Sequence, residues 1–235
     1  MKNTIVIADP HGCIKTLKKL ITKLPKKSEI IIAGDLIDKG PNSCEVIEYC
    51  IQNNIKSVRG NHDHFFTIYM EKYLNGIDIF HSQWYNDFGG KQTFDSYKGK
   101  EDLIPKHLEY MNSLPLYIEK DINGKNYFIT HGFALPYYEL KNDWKKGHRP
   151  IMSNRLYGKF YNLDNVNELE KYNTINIFGH DTYKFVRRHK LYIAIDTGCV
   201  YGKTNGSKGT LTAVNLCNKQ IIEQTLIDEA NYKDK

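Results

Sequence analysis

Thr4-Ile5-Val6-Ile7-Ala8-Asp9-Pro10-His11-Gly12 joins a β-branched apolar run to a polar turn, and the residues after it place Ile14, Leu17, Leu20, Ile21 and Leu24 at helical spacing. The reading is strand, loop, helix. Residues 29–33 form a second short apolar run, broken at Gly34-Asp35 and followed by a Pro/Asn/Ser turn. Val46, Ile47, Cys50 and Ile51 then mark one helical face. Residues 55–58 read as a third strand, ending in Arg59-Gly60-Asn61-His62-Asp63 before a helical stretch from about residue 64 to 74. Three β-loop-α units in succession predict a largely parallel sheet, because parallel neighbours need long crossovers and helices supply them. In such sheets ligands gather beyond the carboxyl ends of the strands. Asp9/His11, Asp35/Asp38 and Asn61/His62 fall there, so residues far apart in the chain can converge on one point.

The middle of the chain, about 64–112, reads as a mostly helical excursion rich in aromatics: Phe80, Trp84, Tyr85, Phe88, Phe94 and Tyr97. These either cap the site or pack the excursion onto the body. Residues 116–120 and 127–130 flank Asp121-Ile122-Asn123-Gly124, a hairpin signal, and the second strand runs into His131-Gly132. A less regular stretch covers 133–172. Residues 175–178 then lead into Gly179-His180 and 191–195 into Asp196-Thr197-Gly198, and the last strands are expected at 209–216 and 220–227. With no linker in view, 1–228 reads as one domain and 229–235 as a polar tail that frays.

Bulk composition bounds the rest. Hydrophobic residues at 40% and charged residues at 26% exclude a disordered or fibrous chain. The net charge of +6 would favour an anionic partner, but the lysines are scattered and form no basic block, so no specific nucleic-acid site is expected. Five cysteines, an odd number without C-x-x-C spacing, argue against a disulfide framework and a thiolate zinc site. A reducing, cytoplasmic setting is expected. The apolar run at 5–7 is too short for a signal peptide, and no stretch approaches the roughly 20 apolar residues of a membrane span.

The chemistry lies in the strand ends. A single Asp-x-His or Gly-His pair is commonly structural, but five such clusters each follow an apolar run. Carboxylate, carboxamide and imidazole donors without thiolate suit Mn²⁺, Fe or Zn²⁺. Asp9-Pro-His11-Gly12, Gly34-Asp35-Leu-Ile-Asp38-Lys39-Gly40, Gly60-Asn61-His62-Asp63, His131-Gly132 and Gly179-His180 resemble, in order and spacing, the metallophosphoesterases of the phosphoprotein phosphatase group. Bacterial and phage Ser/Thr phosphatases and diadenosine tetraphosphate hydrolases are the members nearest in size. The likeness extends from residue 5 to about 216.

The resemblance implies an α/β sandwich of two mixed sheets flanked by helices, the calcineurin-like fold. It also implies two divalent cations, Mn²⁺ foremost: one at Asp9 and His11, the other at Asn61, His131 and His180, with Asp35 bridging. A hydroxide between the cations would attack the phosphoryl group directly. His62 falls at the general-acid position and Asp38 at the position that holds it. The family's phosphate-gripping arginine is here Lys39, which keeps the charge but loses the bidentate fork. Arg155 falls near a second phosphate-binding position, and Arg59 either reaches substrate or braces its loop. His64, His81, His107, His148 and His189 match no ligand position and read as surface or packing residues. The expected activity is phosphomonoester hydrolysis, with phosphoserine or phosphothreonine in a protein as first substrate, a diadenosine tetraphosphate-type nucleotide as alternative, and a catalytically inactive basic binding module as third reading.

Overall fold

Short strands that are apolar on both faces need cover on both faces, and the chain supplies it by stacking two sheets and flanking them with helices. The computed structural model describes residues 3–156 and 163–230; from residue 231 onward the expected polar tail lies outside them. In the first sheet β1 (Thr4–Ile7), β2 (Glu29–Ile32) and β3 (Lys56–Ser57) run parallel, linked by helices α1 (Ile14–Ile21) and α2 (Ser43–Gln52). The pairing sets Val6 beside Ile31 and Ile7 beside Ile32.

In the second sheet β4 (Tyr117–Ile122) and β5 (Lys125–Thr130) form the expected hairpin, and β5, β6 (Thr174–Phe178) and β8 (Tyr192–Ala194) are parallel. The two-residue β7 (Arg187–Arg188) closes that sheet's edge. The closing hairpin, β9 (Thr210–Asn215) and β10 (Ile221–Thr225), joins the first sheet on the other side of β1. Strand orders are β10-β9-β1-β2-β3 and β4-β5-β6-β8-β7, which is the two-mixed-sheet architecture expected.

The period-2 alternation of strands decides which side chains enter which layer. Val6, Ala8, Ile31, Ala33 and Val58 meet Tyr127, Ile129, Ile177, Ile193 and Ile195 between the sheets. Ile5, Ile7 and Ile32 point the other way, into a helical layer. That layer also receives Phe66 of α3 (Asn61–Leu74), Trp84 of α4 (Gln83–Asp87), Tyr97 beyond α5 (Gly90–Ser96) and Met111 of α6 (Ile104–Ser113). Trp84 and Tyr97, with Phe88 and Phe94 against them, therefore pack onto the body, while Phe80 stays exposed. Ile31 is fully buried in the inter-sheet layer, so Ile31→Ala is expected to destabilise the protein by about 2–5 kcal/mol. A urea titration checks it, through a lower midpoint at unchanged slope.

Two helices differ from the sequence reading. Helix α3 starts at Asn61 rather than 64, because Asp63 takes the Gly60 N–H at 2.8 Å and caps the helix three residues earlier. A helix, α7 (Trp144–Ser153), occupies part of the stretch read as irregular; Gly147 and Pro150 inside it mask its periodicity.

Candidate active site

The carboxyl ends of β1, β2, β3, β5 and β6 each deliver polar groups to one edge of the two sheets. Asp9 and His11 follow β1, and Asp35, Asp38 and Lys39 follow β2. Asn61 and His62 open α3, while His131 follows β5 and His180 follows β6. They surround a cleft of about 510 Å³ whose lining includes His11, Asp35, Lys39, Asn61, His62, Arg155 and His180, with Thr182, Asp196, Tyr201, Thr204 and Ser207 along its remaining wall. The loops are strained. His11, Asp35, Asp38, Lys39 and His180 all have positive φ, between 41° and 71°. Each such non-glycine residue costs about 1–3 kcal/mol and persists only where its surroundings impose it. Asp63 imposes it at the β2 loop: its carboxylate accepts the N–H groups of Asp35 and Leu36, both at 2.9 Å, as well as that of Gly60. A Cβ on Gly60 would collide with Asp35, which is why glycine stands there.

Backbone carbonyls fix which imidazole nitrogen faces the cleft. His131 Nδ1 lies 2.8 Å from the Ala33 carbonyl and His11 Nδ1 lies 2.8 Å from that of Ile37. A carbonyl only accepts, so Nδ1 carries the proton and Nε2 presents its lone pair inward. His131 Nε2 lies 3.2 Å from Asp35 Oδ2, 3.0 Å from Asn61 Oδ1 and 3.2 Å from His180 Nδ1. His11 Nε2 lies 3.6 Å from the same Asp35 oxygen. Asp35, His131 and His180 thus bring three donor atoms within 4.8 Å of one another; His11, Asp35 and His62 do the same, and Asp35 belongs to both groups.

These residues fit a pair of divalent cations. Asp9 Oδ2 accepts the His180 N–H at 2.8 Å, yet Asp9 Oδ1 is buried with no hydrogen-bond partner. Lone pairs and carboxylate oxygens converge with few protons between them, and the donor set holds nitrogen and oxygen without sulfur. The acid-base balance tells the same story. Burial, then the Asp196 carboxylate, pushes the Asp9 carboxyl well up. Burial would also raise Asp35, but the His131 and His62 imidazoles outweigh it and hold that carboxyl well below the usual range. Burial would lower His131, yet Asp35 and Asp9 push it up to about 10. That upward shift marks an excess of negative charge around His131 Nε2, which a bound cation would take up in place of a proton.

Beside this cluster His62 Nδ1 meets Asp38 Oδ2 at 2.7 Å, leaving Nε2 turned toward Asp35 Oδ2 at 4.0 Å. Asp38 is itself held from the excursion: Trp84 Nε1 donates to Oδ2 at 2.8 Å and Thr93 Oγ1 to Oδ1 at 2.6 Å. The excursion thus serves the site as well as the core. Sequence reading missed Trp84, Thr93 and Asp63 in these roles, because their partners lie 46, 55 and 28 residues away. Lys39 Nζ donates to the Tyr201 hydroxyl at 2.8 Å and lies 3.4 Å from His11 Nε2, so it reaches the cleft rather than solvent. Arg155 also reaches the cleft, while its Nη1 pairs with Asp181 at 2.9 Å.

Arg59 does not reach the cleft. Its Nη2 donates to the Met111 and Asn112 carbonyls at 2.9 and 2.5 Å, tying its loop to the end of α6, so it stands apart from Lys39 and Arg155, the other residues expected to bind substrate. His64, His81, His107, His148 and His189 stay outside the cleft lining; His107 is buried between Tyr97 and Glu48.

The family model for calcineurin-like phosphoesterases matches residues 2–195. The symmetrical bis(5'-nucleosyl)-tetraphosphatase of Buchnera aphidicola is 29% identical over 200 residues, 75% of this chain and 66% of that protein, so the chain spans just under two thirds of its length. The asymmetrical bis(5'-nucleosyl)-tetraphosphatase of Oceanobacillus iheyensis is 24% identical over 246 residues, 92% of this chain and 90% of that one. A protein serine/threonine phosphatase structure from Saccharomyces cerevisiae superposes with a TM-score of 0.61 at 17% identity, covering 99% of this chain and 82% of that chain. That last likeness is one of fold. With its two-sheet fold, its imidazole-carboxylate cluster and a family match over most of its length, this chain belongs to the calcineurin-like phosphoesterase family and is a metallophosphoesterase.

Proposed function

We propose that this hydrolase cleaves the polyphosphate chain of a dinucleoside polyphosphate of the diadenosine tetraphosphate class, with two divalent cations, Mn²⁺ foremost. The observation that carries the metal-dependent part is the sharing of Asp35 between two three-donor groups. Asp9 and His11 would hold one cation, Asn61, His131 and His180 the other, with Asp35 between them. When bound, such a pair neutralises phosphoryl charge, orients the phosphate for in-line displacement and lowers the pKa of the attacking water. Around it, Asp38 accepts the His62 Nδ1 proton and leaves Nε2 to serve the leaving group. Lys39 and Arg155 add positive charge at the cleft wall.

The substrate class is supported by the two relatives above, both named bis(5'-nucleosyl)-tetraphosphatases. The chemistry of Lys39 agrees. An ammonium is a point charge without a bidentate fork, and a polyphosphate chain offers many oxygens along its length to such a charge. The phosphoserine/phosphothreonine reading draws on likeness of fold alone. Five cysteines, none of them in a disulfide, and no helix long and apolar enough to cross a membrane among the described residues support a setting in the reducing cytoplasm.

Release of nucleotides from a dinucleoside tetraphosphate should be compared with phosphate release from a phosphopeptide, on Mn²⁺-loaded protein. Fast dinucleotide cleavage beside negligible phosphopeptide turnover is expected, and the reverse ranking would overturn the substrate assignment. Chelation gives a separate readout. A ligand present at a hundred times its Kd stabilises by about 2.7 kcal/mol, so stripping one such metal is expected to lower Tm by roughly 5–10 °C, restored by Mn²⁺. Calorimetry with and without chelator checks it.

A further inference from the structure

The Lys39 side chain is fixed at both ends of its stem. At the root, Lys39 has a φ of 67° and its N–H donates to the Gly89 carbonyl at 3.3 Å, where a Cβ on Gly89 would stand 2.4 Å from the Lys39 nitrogen. At the tip, Nζ donates to the Tyr201 hydroxyl at 2.8 Å and lies 5.1 Å from the centre of that ring. Both residues line the catalytic cleft and both are only half-buried, so the ammonium is within reach of a ligand. Another contact at the tip is to His11 Nε2, at 3.4 Å. With a cation on His11 that lone pair is taken, and of these two contacts the one to Tyr201 is left to hold the lysine.

Tyr201 is itself presented by a closely built turn. One turn of 3₁₀ helix, Cys199–Tyr201, is set between Gly198 and Gly202, whose φ values of 72° and 62° favour glycine. Ser207 closes it. Its buried hydroxyl lies 2.9 Å from the Gly198 carbonyl and 3.0 Å from that of Gly202, and a Cβ on Gly198 would stand 2.2 Å from the same oxygen. Cys199 and Val200 are buried in the core of the helical layer, and of the turn's residues Tyr201 lines the cleft.

We propose that Tyr201 is a positioning residue for substrate: through its hydroxyl it aims the Lys39 ammonium at the phosphoryl group in the cleft. An ammonium is a point charge with no preferred plane on a flexible stem, so stilling it only when the ligand arrives costs affinity. Fixing it beforehand lowers that cost. The phenol oxygen is also neutral. It anchors the ammonium and leaves the positive charge for phosphate, whereas a carboxylate in its place would cancel that charge. The proposal rests on Lys39 binding phosphate and not on which phosphoester is cleaved.

The test is the competitive inhibition constant of inorganic phosphate on the Mn²⁺-loaded full chain, with p-nitrophenyl phosphate as substrate, read beside kcat and metal content. Tyr201→Phe keeps the ring and removes the anchor. It is expected to raise the constant about five- to tenfold, with kcat within about threefold and metal content as in wild type. Lys39→Ala is expected to raise it by at least as much, and the double variant to be no worse than Lys39→Ala, because Tyr201 acts only through the lysine. In Lys39→Arg, whose planar fork orients itself, adding Tyr201→Phe is expected to change the constant by less than about twofold. A rise in Lys39→Ala without one in Tyr201→Phe, losses that add in the double variant, or an undiminished loss in the Lys39→Arg background would overturn the positioning role while leaving Lys39 as a phosphate-binding residue. No rise in Lys39→Ala would overturn that reading and the proposal with it.

Discussion

Asp35→Asn is expected to lower turnover by about 10³-fold and to leave no more than one metal ion per chain, measured by steady-state kinetics alongside elemental analysis. The reason is electrostatic. Two unit charges roughly 4 Å apart repel by about 4 kcal/mol at an effective dielectric constant of 20, and a divalent pair by about four times that. An anionic oxygen between them offsets the repulsion; a carboxamide oxygen does not. Asp35 Oδ2, at 3.2 Å from His131 Nε2 and 3.6 Å from His11 Nε2, would supply that oxygen. Asparagine keeps an Oδ1 for the His62 N–H, which Asp35 now holds at 3.0 Å, so the start of α3 is expected to survive the change. Full metal content together with near-normal turnover would remove Asp35 from the bridging role.

Much of this candidate site was legible because its carboxylate and imidazole groups sit where apolar runs end. The parallel order of β1, β2 and β3 follows from the strand-helix alternation, and with it the convergence of Asp9, Asp35 and Asn61 on one edge. Tertiary support was not legible. Nothing near Trp84 in sequence marks it as a donor to Asp38, since its indole also satisfies every criterion of a core residue, being fully buried and stacked on Tyr69 at 5.2 Å. Asp63 stands in the recognised Gly-Asn-His-Asp run, yet its work is done on the β2 loop, through a contact that requires β2 and β3 to be neighbours. Arg59 lies apart from the cleft for the same tertiary reason. Its position beside the metal loop suggested phosphate, but after the last residue of β3 its side chain runs toward α6, away from the cleft. The strand β7 was missed because two arginines carry no periodicity.

His62→Ala is expected to separate leaving groups. An alkyl phosphate must release a strongly basic alkoxide, so losing a positioned acid there is expected to reduce kcat by about 10²–10⁴-fold. A phosphoanhydride or p-nitrophenyl ester releases a stable anion that needs little protonation, and the loss on those substrates is expected to stay within about tenfold. The Asp38 contact at 2.7 Å makes the assignment physical: with Nδ1 committed to a carboxylate, Nε2 alone remains to serve a leaving oxygen. The same Nε2 also lies within donor-atom range of His11 and Asp35, which would suit a metal ligand instead. Metal content discriminates between the two roles. Two ions retained in His62→Ala, with a loss confined to poor leaving groups, identifies the acid. Loss of an ion with equal damage on every substrate would make His62 a ligand, and would leave the orphaned Asp9 Oδ1 to be explained in some other way.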